Sequence, residues 1–309
     1  MVNDISEINK SALENPLGFV LSSEEEYRKR IGEIAKLAVM RQGLKIILLA
    51  GPSASGKTTS SLILRECLSG LGMPTETVSL DDFYKTQEKM PRDEYGMLDF
   101  ESVHSLETEE ITDMLRCLLE RNEAEVPIFN FKEKRRLSNM RKIKLEKNGA
   151  VIVEGLHALN PVITEGLPED KILKLYVSVA ANITYGGENL LSSRDIRLIR
   201  RISRDMLYRN SPPENSLSLW SSVVRGEDKY LCPYKGSADY ELCSFHNYEL
   251  CVFKSIMYEE LSRLPASVEN RKTVDAILYA MDKAVELSPN TVPEDSLMRE
   301  FMLGGKYKL

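Results

Sequence analysis

The most constraining feature of this chain is a glycine-containing loop at residues 51–59, with the sequence Gly-Pro-Ser-Ala-Ser-Gly-Lys-Thr-Thr. It directly follows an apolar run at residues 46–50 and precedes a helix-compatible stretch that begins near Thr58. The loop fits the pattern G-x-x-x-x-G-K-[ST], in which glycines allow backbone N–H groups to curl around a polyphosphate. The sequence therefore predicts a phosphate-binding loop between a buried strand and a helix.

The residues of this loop are predicted to hold the phosphates of a nucleotide together with a magnesium ion. The N-terminus of the following helix contributes a partial positive charge, and Lys57 is placed to reach the outer phosphates. The hydroxyl of Thr58 can ligate Mg²⁺. The residues expected to contact the phosphates are Gly51, Ser53, Ala54, Ser55, Gly56, Lys57, Thr58 and Thr59.

The composition favours a globular protein that acts on small molecules. The chain has 309 residues, of which 42% are hydrophobic and 28% are charged, and its formal net charge is -6. This acidic balance argues against a broad nucleic-acid or acidic-membrane surface. The longest apolar stretches are only strand-sized, and residues 1–13 are polar rather than typical of a signal peptide. We therefore expect a cytoplasmic protein without nucleic-acid or membrane partners.

The cysteines and histidines give no sign of a metal centre. The five cysteines form no C-x-x-C pair, and the three histidines show no ligand spacing. We expect the cysteines to be reduced thiols and expect no zinc site.

Strand-forming segments alternate with helical segments along the chain. An amphipathic helix is predicted over residues 22–40, and two helices near residues 248–264 and 268–287 complete the fold. Residues 126–131 and 142–145 suggest a β-hairpin that projects from the main body. The predicted sheet strands are residues 45–50, 75–80, 150–153 and 173–179, with a candidate last strand at 238–243. This alternation predicts an α/β fold with a doubly wound, mostly parallel sheet and with ligands at the carboxyl ends of its strands.

Two carboxylates lie at the ends of predicted strands. Glu154 ends the apolar strand that begins at residue 150, a place where an acid can hold magnesium directly or through water. An acid that merely reaches solvent at the strand edge is the alternative. Asp81 follows the second predicted strand and could accept a proton from a hydroxyl lying against the γ-phosphate, whereas an Asx-turn or helix cap is its alternative role. Phosphoryl transfer requires such groups together with mobile arginines.

An arginine-rich segment supplies the cations that a lid over the phosphates would need. Its arginines are Arg194, Arg197, Arg200, Arg201, Arg204 and Arg209. In a helix, Arg197, Arg201 and Arg204 share one face. We expect this face to close on polyphosphate and expel water, and we expect solvated positions for Arg194 and Arg200.

Taken together, these segments resemble the uridine kinase and phosphoribulokinase group of P-loop kinases, and more closely the uridine-kinase-like nucleoside kinases of the bacterial type. The segments that carry the resemblance are residues 51–59, 79–85, 127–131, 151–161 and 197–205, with further fits at 220–229 and 293–305. The resemblance implies a P-loop kinase domain at residues 44–309, preceded by a helical extension at residues 1–43. Within that domain it implies a hairpin at about 125–146, a lid at about 190–212 and C-terminal helices.

The resemblance also implies an activity, namely transfer of the γ-phosphoryl group of ATP or GTP, with Mg²⁺, to the 5'-hydroxyl of a nucleoside. Asp81 would be the base, and Asp99 would hold the ribose hydroxyls. The hairpin would cover the nucleobase with Phe129 and Phe131, for which ordinary packing under the hairpin is the alternative. The other residues implied to bind acceptor or phosphate are Tyr84, Lys134, Arg201, Arg204 and Arg209.

The sequence leaves the acceptor open. Where uridine-cytidine kinases carry a tyrosine and a histidine, this chain carries Phe129 and Lys134, which removes the hydrogen bonds that would select a pyrimidine. Uridine or cytidine is the favoured acceptor, and a sugar phosphate or pantothenate is the rival. A phosphorylated acceptor would need extra cations, and the hairpin carries Lys132, Lys134, Arg135 and Arg136. A nucleotide switch without an acceptor is a less favoured alternative, and a homo-oligomer is compatible with the sequence.

Overall fold

The computed structural model describes residues 3–130 and 135–307 of the chain. Its helices are α1 (Ile5–Glu14), α2 (Pro16–Met40), α3 (Lys57–Gly70), α4 (Thr108–Arg121), α5 (Pro161–Thr164), α6 (Ser193–Arg209), α7 (Pro213–Tyr230), α8 (Glu249–Ser262) and α9 (Arg271–Lys283). Its strands are β1 (Ile46–Ala50), β2 (Thr75–Ser79), β3 (Glu123–Val126), β4 (Phe129–Asn130), β5 (Arg135–Arg136), β6 (Arg141–Lys144), β7 (Ala150–Glu154), β8 (Ile172–Ser178), β9 (Ile183–Tyr185), β10 (Glu188–Leu191) and β11 (Tyr240–Cys243). Within these two ranges, no helix combines the length and the apolar character needed to cross a membrane.

Five of the strands form one parallel sheet in the order β11-β8-β1-β7-β2. Every residue of β1 and β7 is buried, as expected for strands that are covered on both faces. Alternate side chains of β1 enter two separate hydrophobic cores: Ile47 and Leu49 enter one, and Ile46 and Leu48 enter the other. The predicted doubly wound, mostly parallel sheet is confirmed, and each of its predicted strands is present.

The register of the sheet brings three strand ends to one edge. Leu49 of β1 and Ser79 of β2 both pair with Glu154, the last residue of β7. Because neighbouring parallel strands end at the same edge, the segments that follow β1 and β2 meet beside this carboxylate. The sheet therefore assembles the loop, the strand-end acid and the turn that contains Asp81.

The predicted hairpin is confirmed with slightly shifted bounds. β3 pairs with β6 and β4 pairs with β5, both antiparallel, so the described part of the hairpin comprises residues 123–130 and 135–144. Phe129 lies in β4. Phe131 and Lys134, to which the sequence assigned acceptor-binding roles, lie outside the described residues.

Several elements have no counterpart in the prediction, namely helix α1, the short helix α5, helix α7 and the small β9–β10 hairpin. The predicted helix at residues 22–40 is longer in the structure, because Asn15 caps α2 with its side chain and Pro16 occupies the first helical position. Ile5 of α1 and Tyr27 of α2 belong to the same hydrophobic core as α8 and α9. The N-terminal helices therefore pack onto one face of the sheet.

Arg200 of α6 is the clearest departure from the sequence-based expectation. A solvated position was predicted, but the side chain is fully buried. Its guanidinium donates to both carboxylate oxygens of Glu249, at 2.7 and 2.9 Å, and to the hydroxyl and carbonyl oxygens of Ser244. The prediction was wrong because helical spacing cannot identify a buried partner on another element. Arg194, by contrast, is exposed and pairs with Asp228.

We predict that Arg200→Met destabilises the protein by about 3–5 kcal/mol, because Glu249 would remain buried as an unpaired charge. The free energy of unfolding from urea denaturation measures this effect. Arg194→Met is the matched control on the same helix, and since its ion pair is exposed, it should cost under about 1 kcal/mol. Equal stabilities of the two variants would contradict the structural role of Arg200.

Candidate active site

The phosphate-binding loop connects β1 to α3, and backbone geometry requires both of its pattern glycines. A Cβ atom on Gly51 would lie 2.2 Å from the carbonyl oxygen of Val177. Gly56 has φ +85°, and a Cβ atom there would lie 2.7 Å from a side-chain carbon of Leu297. Side chains at these positions would therefore change the path of the loop.

The loop residues suit the phosphates of a nucleotide. The hydroxyl of Ser55 is buried and has no hydrogen-bond partner. Helix α3 begins without a side-chain cap, so the structure provides backbone N–H groups at a helix N-terminus for an anion. The ammonium group of Lys57 donates to the carbonyl oxygen of Pro52 at 3.1 Å, which keeps it against the loop. An orphaned buried hydroxyl, helix-terminal N–H groups and a lysine together match the needs of a phosphate chain.

Thr58 and Glu154, the residues predicted to hold magnesium, lie next to each other. The Thr58 hydroxyl donates to Oε1 of Glu154 at 3.4 Å. Burial, together with the negative charge of Asp81, raises the pKa of Glu154 to about 7, and Lys57 opposes the shift. Among the described residues, no three potential protein ligands cluster around one metal position. One carboxylate and one hydroxyl suit Mg²⁺, which takes its other ligands from water and nucleotide phosphates.

Asp81 lies where the sequence predicted the proton acceptor. It belongs to the single helical turn Leu80–Phe83 that follows β2, and its side chain reaches solvent. The protein atoms packed around it raise its pKa, whereas the positive charges of Lys57, Arg209 and Arg204 lower it. The structure thus brings the predicted base, the loop lysine and two lid arginines together.

The predicted clamp arginines converge on one carboxylate that the sequence analysis missed. Asp205 is 5% exposed and lies 3.5 Å from Arg201, 3.4 Å from Arg204 and 3.1 Å from Arg209. Arg201 also donates to the Ser53 hydroxyl at 2.9 Å, so it reaches the loop directly. The spacing of four residues between Asp205 and two of these arginines is a signal that could have identified it.

Arg197 does not join this cluster, and its predicted position in the phosphate clamp is wrong. Its guanidinium forms two 2.7 Å hydrogen bonds to the buried carboxylate of Glu227 and donates to the carbonyl oxygen of Ser53 at 3.1 Å. Glu227 in turn accepts the Ser53 backbone N–H at 2.8 Å. Because each partner of this buried pair also binds the loop backbone, Arg197 and Glu227 position the loop. No local sequence pattern pointed to a partner on α7.

Two of the predicted acceptor residues, Tyr84 and Phe129, lie close together near Asp82. The rings of Tyr84 and Phe129 lie 6.1 Å apart, and the Phe129 backbone N–H donates to the Asp82 carboxylate at 3.1 Å. Burial raises the pKa of the Tyr84 phenol, and the negative charges of Asp81 and Asp99 add to this shift. The turn after β2 and the hairpin therefore form one wall beside the predicted base.

Asp99 is held in place by its own hydrogen bonds. One carboxylate oxygen accepts two backbone N–H groups at 3.1 Å, and the other accepts the hydroxyl of Tyr230 at 3.0 Å. A carboxylate has about four acceptor positions, so the ordered side chain can still accept hydroxyl donors.

Two further residues of this region escaped the sequence analysis. Burial raises the pKa of Glu101 to about 7, and the nearby guanidinium of Arg201 opposes that shift. His157 is 3% exposed, and neither ring nitrogen has a hydrogen-bond partner. Burial lowers the pKa of His157 to about 4, and the nearby Glu101 backbone opposes the shift. No sequence signal pointed to Glu101, whereas His157 lies in the quoted segment 151–161.

The chain is similar to known proteins of one kinase family. The model of the phosphoribulokinase/uridine kinase family matches residues 46–249. A uridine kinase of Ligilactobacillus salivarius is 29% identical over 195 residues, which cover 63% of this chain and 82% of that protein. A uridine kinase of Streptococcus equi subsp. zooepidemicus is 30% identical over 198 residues, covering 63% of this chain and 84% of that protein. A solved structure from Bacillus stearothermophilus, described as a possible uridine kinase, superposes with a TM-score of 0.49 at 18% identity, covering 70% of this chain and 99% of that one.

We predict that His157 makes the protein less stable in acid. The unfolded chain binds a proton at His157 below a pKa near 6.5, and the folded chain binds it only near 4. Stability is therefore lost as the pH falls between these values, by about 3 kcal/mol. Urea denaturation at a series of pH values should show this extra loss in the wild type and not in His157→Asn. The exposed His104 provides the control, since His104→Asn should retain the wild-type slope.

Proposed function

The chain belongs to the phosphoribulokinase/uridine kinase family and is a kinase of that family, and we propose that its acceptor is the 5'-hydroxyl of a nucleoside, with uridine or cytidine favoured. The donor is ATP or GTP with Mg²⁺, and the products are a nucleoside monophosphate and the nucleoside diphosphate. The observation that carries the proposal is the meeting of Asp81 with Lys57, Arg204 and Arg209 beside the phosphate loop.

The donor phosphates would lie in the loop. The backbone N–H groups at the start of α3 and the Ser55 hydroxyl would bind phosphate oxygens. Lys57 would leave the Pro52 carbonyl and neutralise the outer phosphates. Thr58 and Glu154 would hold Mg²⁺, which draws charge from the phosphates when bound. At neutral pH the raised pKa of Glu154 lets metal binding displace a proton from this carboxyl.

Asp81 would act as the general base. Its carboxylate would take the proton of the acceptor hydroxyl while that oxygen forms a bond to the γ-phosphorus and the bond to the bridging oxygen of the diphosphate breaks. The raised pKa of Asp81 makes it a better proton acceptor than an ordinary aspartate, while the positive charges of Lys57, Arg209 and Arg204 oppose the rise. Arg201, Arg204 and Arg209 would offset the negative charge that develops on the transferred group.

The charge around the acceptor side favours a neutral, hydroxyl-rich substrate. Asp81, Asp99 and Glu101 act together on the Tyr84 phenol, so three carboxyl groups surround this wall. Such a surface suits ribose hydroxyls, which donate hydrogen bonds, and repels a phosphorylated acceptor. Tyr84 and Phe129 offer an aromatic surface for a nucleobase.

The rival acceptor, a sugar phosphate, loses part of its support. It required free cations on the hairpin, and Arg136 instead donates to the Glu110 carboxylate at 2.7 Å and to the Phe83 carbonyl oxygen at 3.2 Å. Arg136 is therefore already paired with groups outside the hairpin. A cytoplasmic location and assembly into a homo-oligomer belong to the proposal and rest on the sequence.

We predict that Asp81→Asn lowers kcat by about 100-fold or more, because the amide cannot take the hydroxyl proton. ATP affinity, measured by isothermal titration calorimetry, should weaken by less than about threefold. Asp82→Asn is the matched control, because it keeps the side-chain oxygen that accepts the Phe129 N–H. Retention of wild-type turnover by Asp81→Asn would exclude Asp81 as the base.

An acceptor panel tests the substrate class. We expect uridine and cytidine to support ADP release in a coupled assay with MgATP, and we expect ribulose 5-phosphate and pantothenate to give none, because the acceptor side is acidic. Turnover with ribulose 5-phosphate or pantothenate and none with any nucleoside would overturn the proposed acceptor while leaving the kinase assignment intact.

A further inference from the structure

A segment near the C-terminus, residues 296–302, crosses the phosphate loop, and we refer to it as the strap. It contains the single helical turn Leu297–Glu300. The side chain of Leu297 approaches Gly56 so closely that a Cβ atom on that glycine would lie 2.7–3.0 Å from three Leu297 carbons. The strap thus contacts the residue at which the loop turns into α3.

The strap also places a negative charge at the start of this helix. The Glu300 carboxylate is 6% exposed and accepts the backbone N–H of Thr59 at 3.2 Å. Thr59 is the third residue of α3, and the first N–H that bonds within the helix belongs to Ser60, which donates to Gly56. The Thr59 N–H is therefore one of the helix-terminal donors that bind anions. The Glu300 carboxylate, an anion of the chain itself, already accepts the Thr59 N–H.

Charge repulsion opposes the joint presence of Glu300 and a nucleotide at this place. The negative charge of Glu300 already acts on Glu154, the residue proposed to hold magnesium. A nucleotide phosphate would add negative charge beside the same helix N-terminus. In a site with little water, like charges this close disfavour each other strongly.

The strap is tied to the lid helix as well. The Ser203 hydroxyl donates to the Phe301 carbonyl oxygen at 2.7 Å, and the Tyr208 hydroxyl donates to the Met302 carbonyl oxygen at 2.7 Å. The Arg200 guanidinium lies 5.1 Å from the centre of the Phe301 ring. Displacement of the strap would therefore disturb contacts of α6, the helix that carries the phosphate-clamping arginines.

We propose that the strap is an intramolecular gate on the nucleotide site, in which Glu300 occupies a phosphate-binding N–H until the nucleotide replaces it. Glu300 then sets nucleotide affinity, and its release is passed to α6 through Phe301 and Met302. The proposal rests on the proposed function only in that this loop binds nucleotide phosphate, and it does not depend on the acceptor.

The first test compares ADP affinities, measured by isothermal titration calorimetry, of the wild type and Glu300→Gln. Glutamine keeps the shape and an acceptor oxygen but removes the charge, so its bond to the Thr59 N–H is weaker and ADP should bind about fivefold more tightly. The control is Glu294→Gln, which removes an exposed carboxylate just before the strap and should leave the affinity unchanged. Equal or weaker ADP binding by Glu300→Gln, or no binding by either protein, would overturn the gate.

A second test uses the unaltered protein. Hydrogen exchange measured by mass spectrometry should show faster exchange in peptides that cover residues 297–302 when ADP is added. Unchanged or slower exchange there would overturn the gate. Both measurements use ADP without an acceptor, so a negative acceptor panel would refute the nucleoside substrate and leave these outcomes unaffected.

Discussion

The parallel pairing of β1, β7 and β2 is the constraint on which the site depends. Parallel strands must end at the same edge, and the register places Leu49 and Ser79 on either side of Glu154. The loop after β1 and the turn after β2 consequently lie next to each other beside Glu154. Without this pairing, the loop lysine, the strand-end acid and Asp81 would be separate features of the sequence. The mechanism we propose uses their proximity and requires no covalent intermediate.

Buried charges fix the loop within this frame. Arg197 and Glu227 each bind the backbone of Ser53, and Arg200 is held by Glu249. Such pairs contribute little net stability when intact, but loss of one partner leaves a buried charge, so they define a single geometry. Helix α6 therefore has two functions. Its buried arginines fasten it beneath the loop, and its partly exposed arginines surround Asp205, where we propose that they bind phosphate.

Much of the fold could be predicted from the sequence, because the strands of the sheet are short runs whose own residues indicate a buried strand. The loop, Glu154 and Asp81 could be placed for the same reason, since each directly follows such a run. Glu101, Glu227 and Glu300 could not be predicted, because their importance arises from contacts with distant segments. Glu300, for example, lies 241 positions from the Thr59 that it contacts.

The sequence by itself determined the phosphate loop and the parallel sheet, because glycine geometry and apolar runs act over a few neighbouring residues. Only the tertiary structure decided which arginines surround Asp205, which carboxylates hold the loop and which anion covers the Thr59 N–H. Helical spacing places Arg197 and Arg201 on one face of α6. In the structure, however, Arg197 pairs with the buried Glu227, whereas Arg201 donates to the Ser53 hydroxyl. This difference between the two arginines depends on the packing of α7 against α6, which no local sequence pattern predicts.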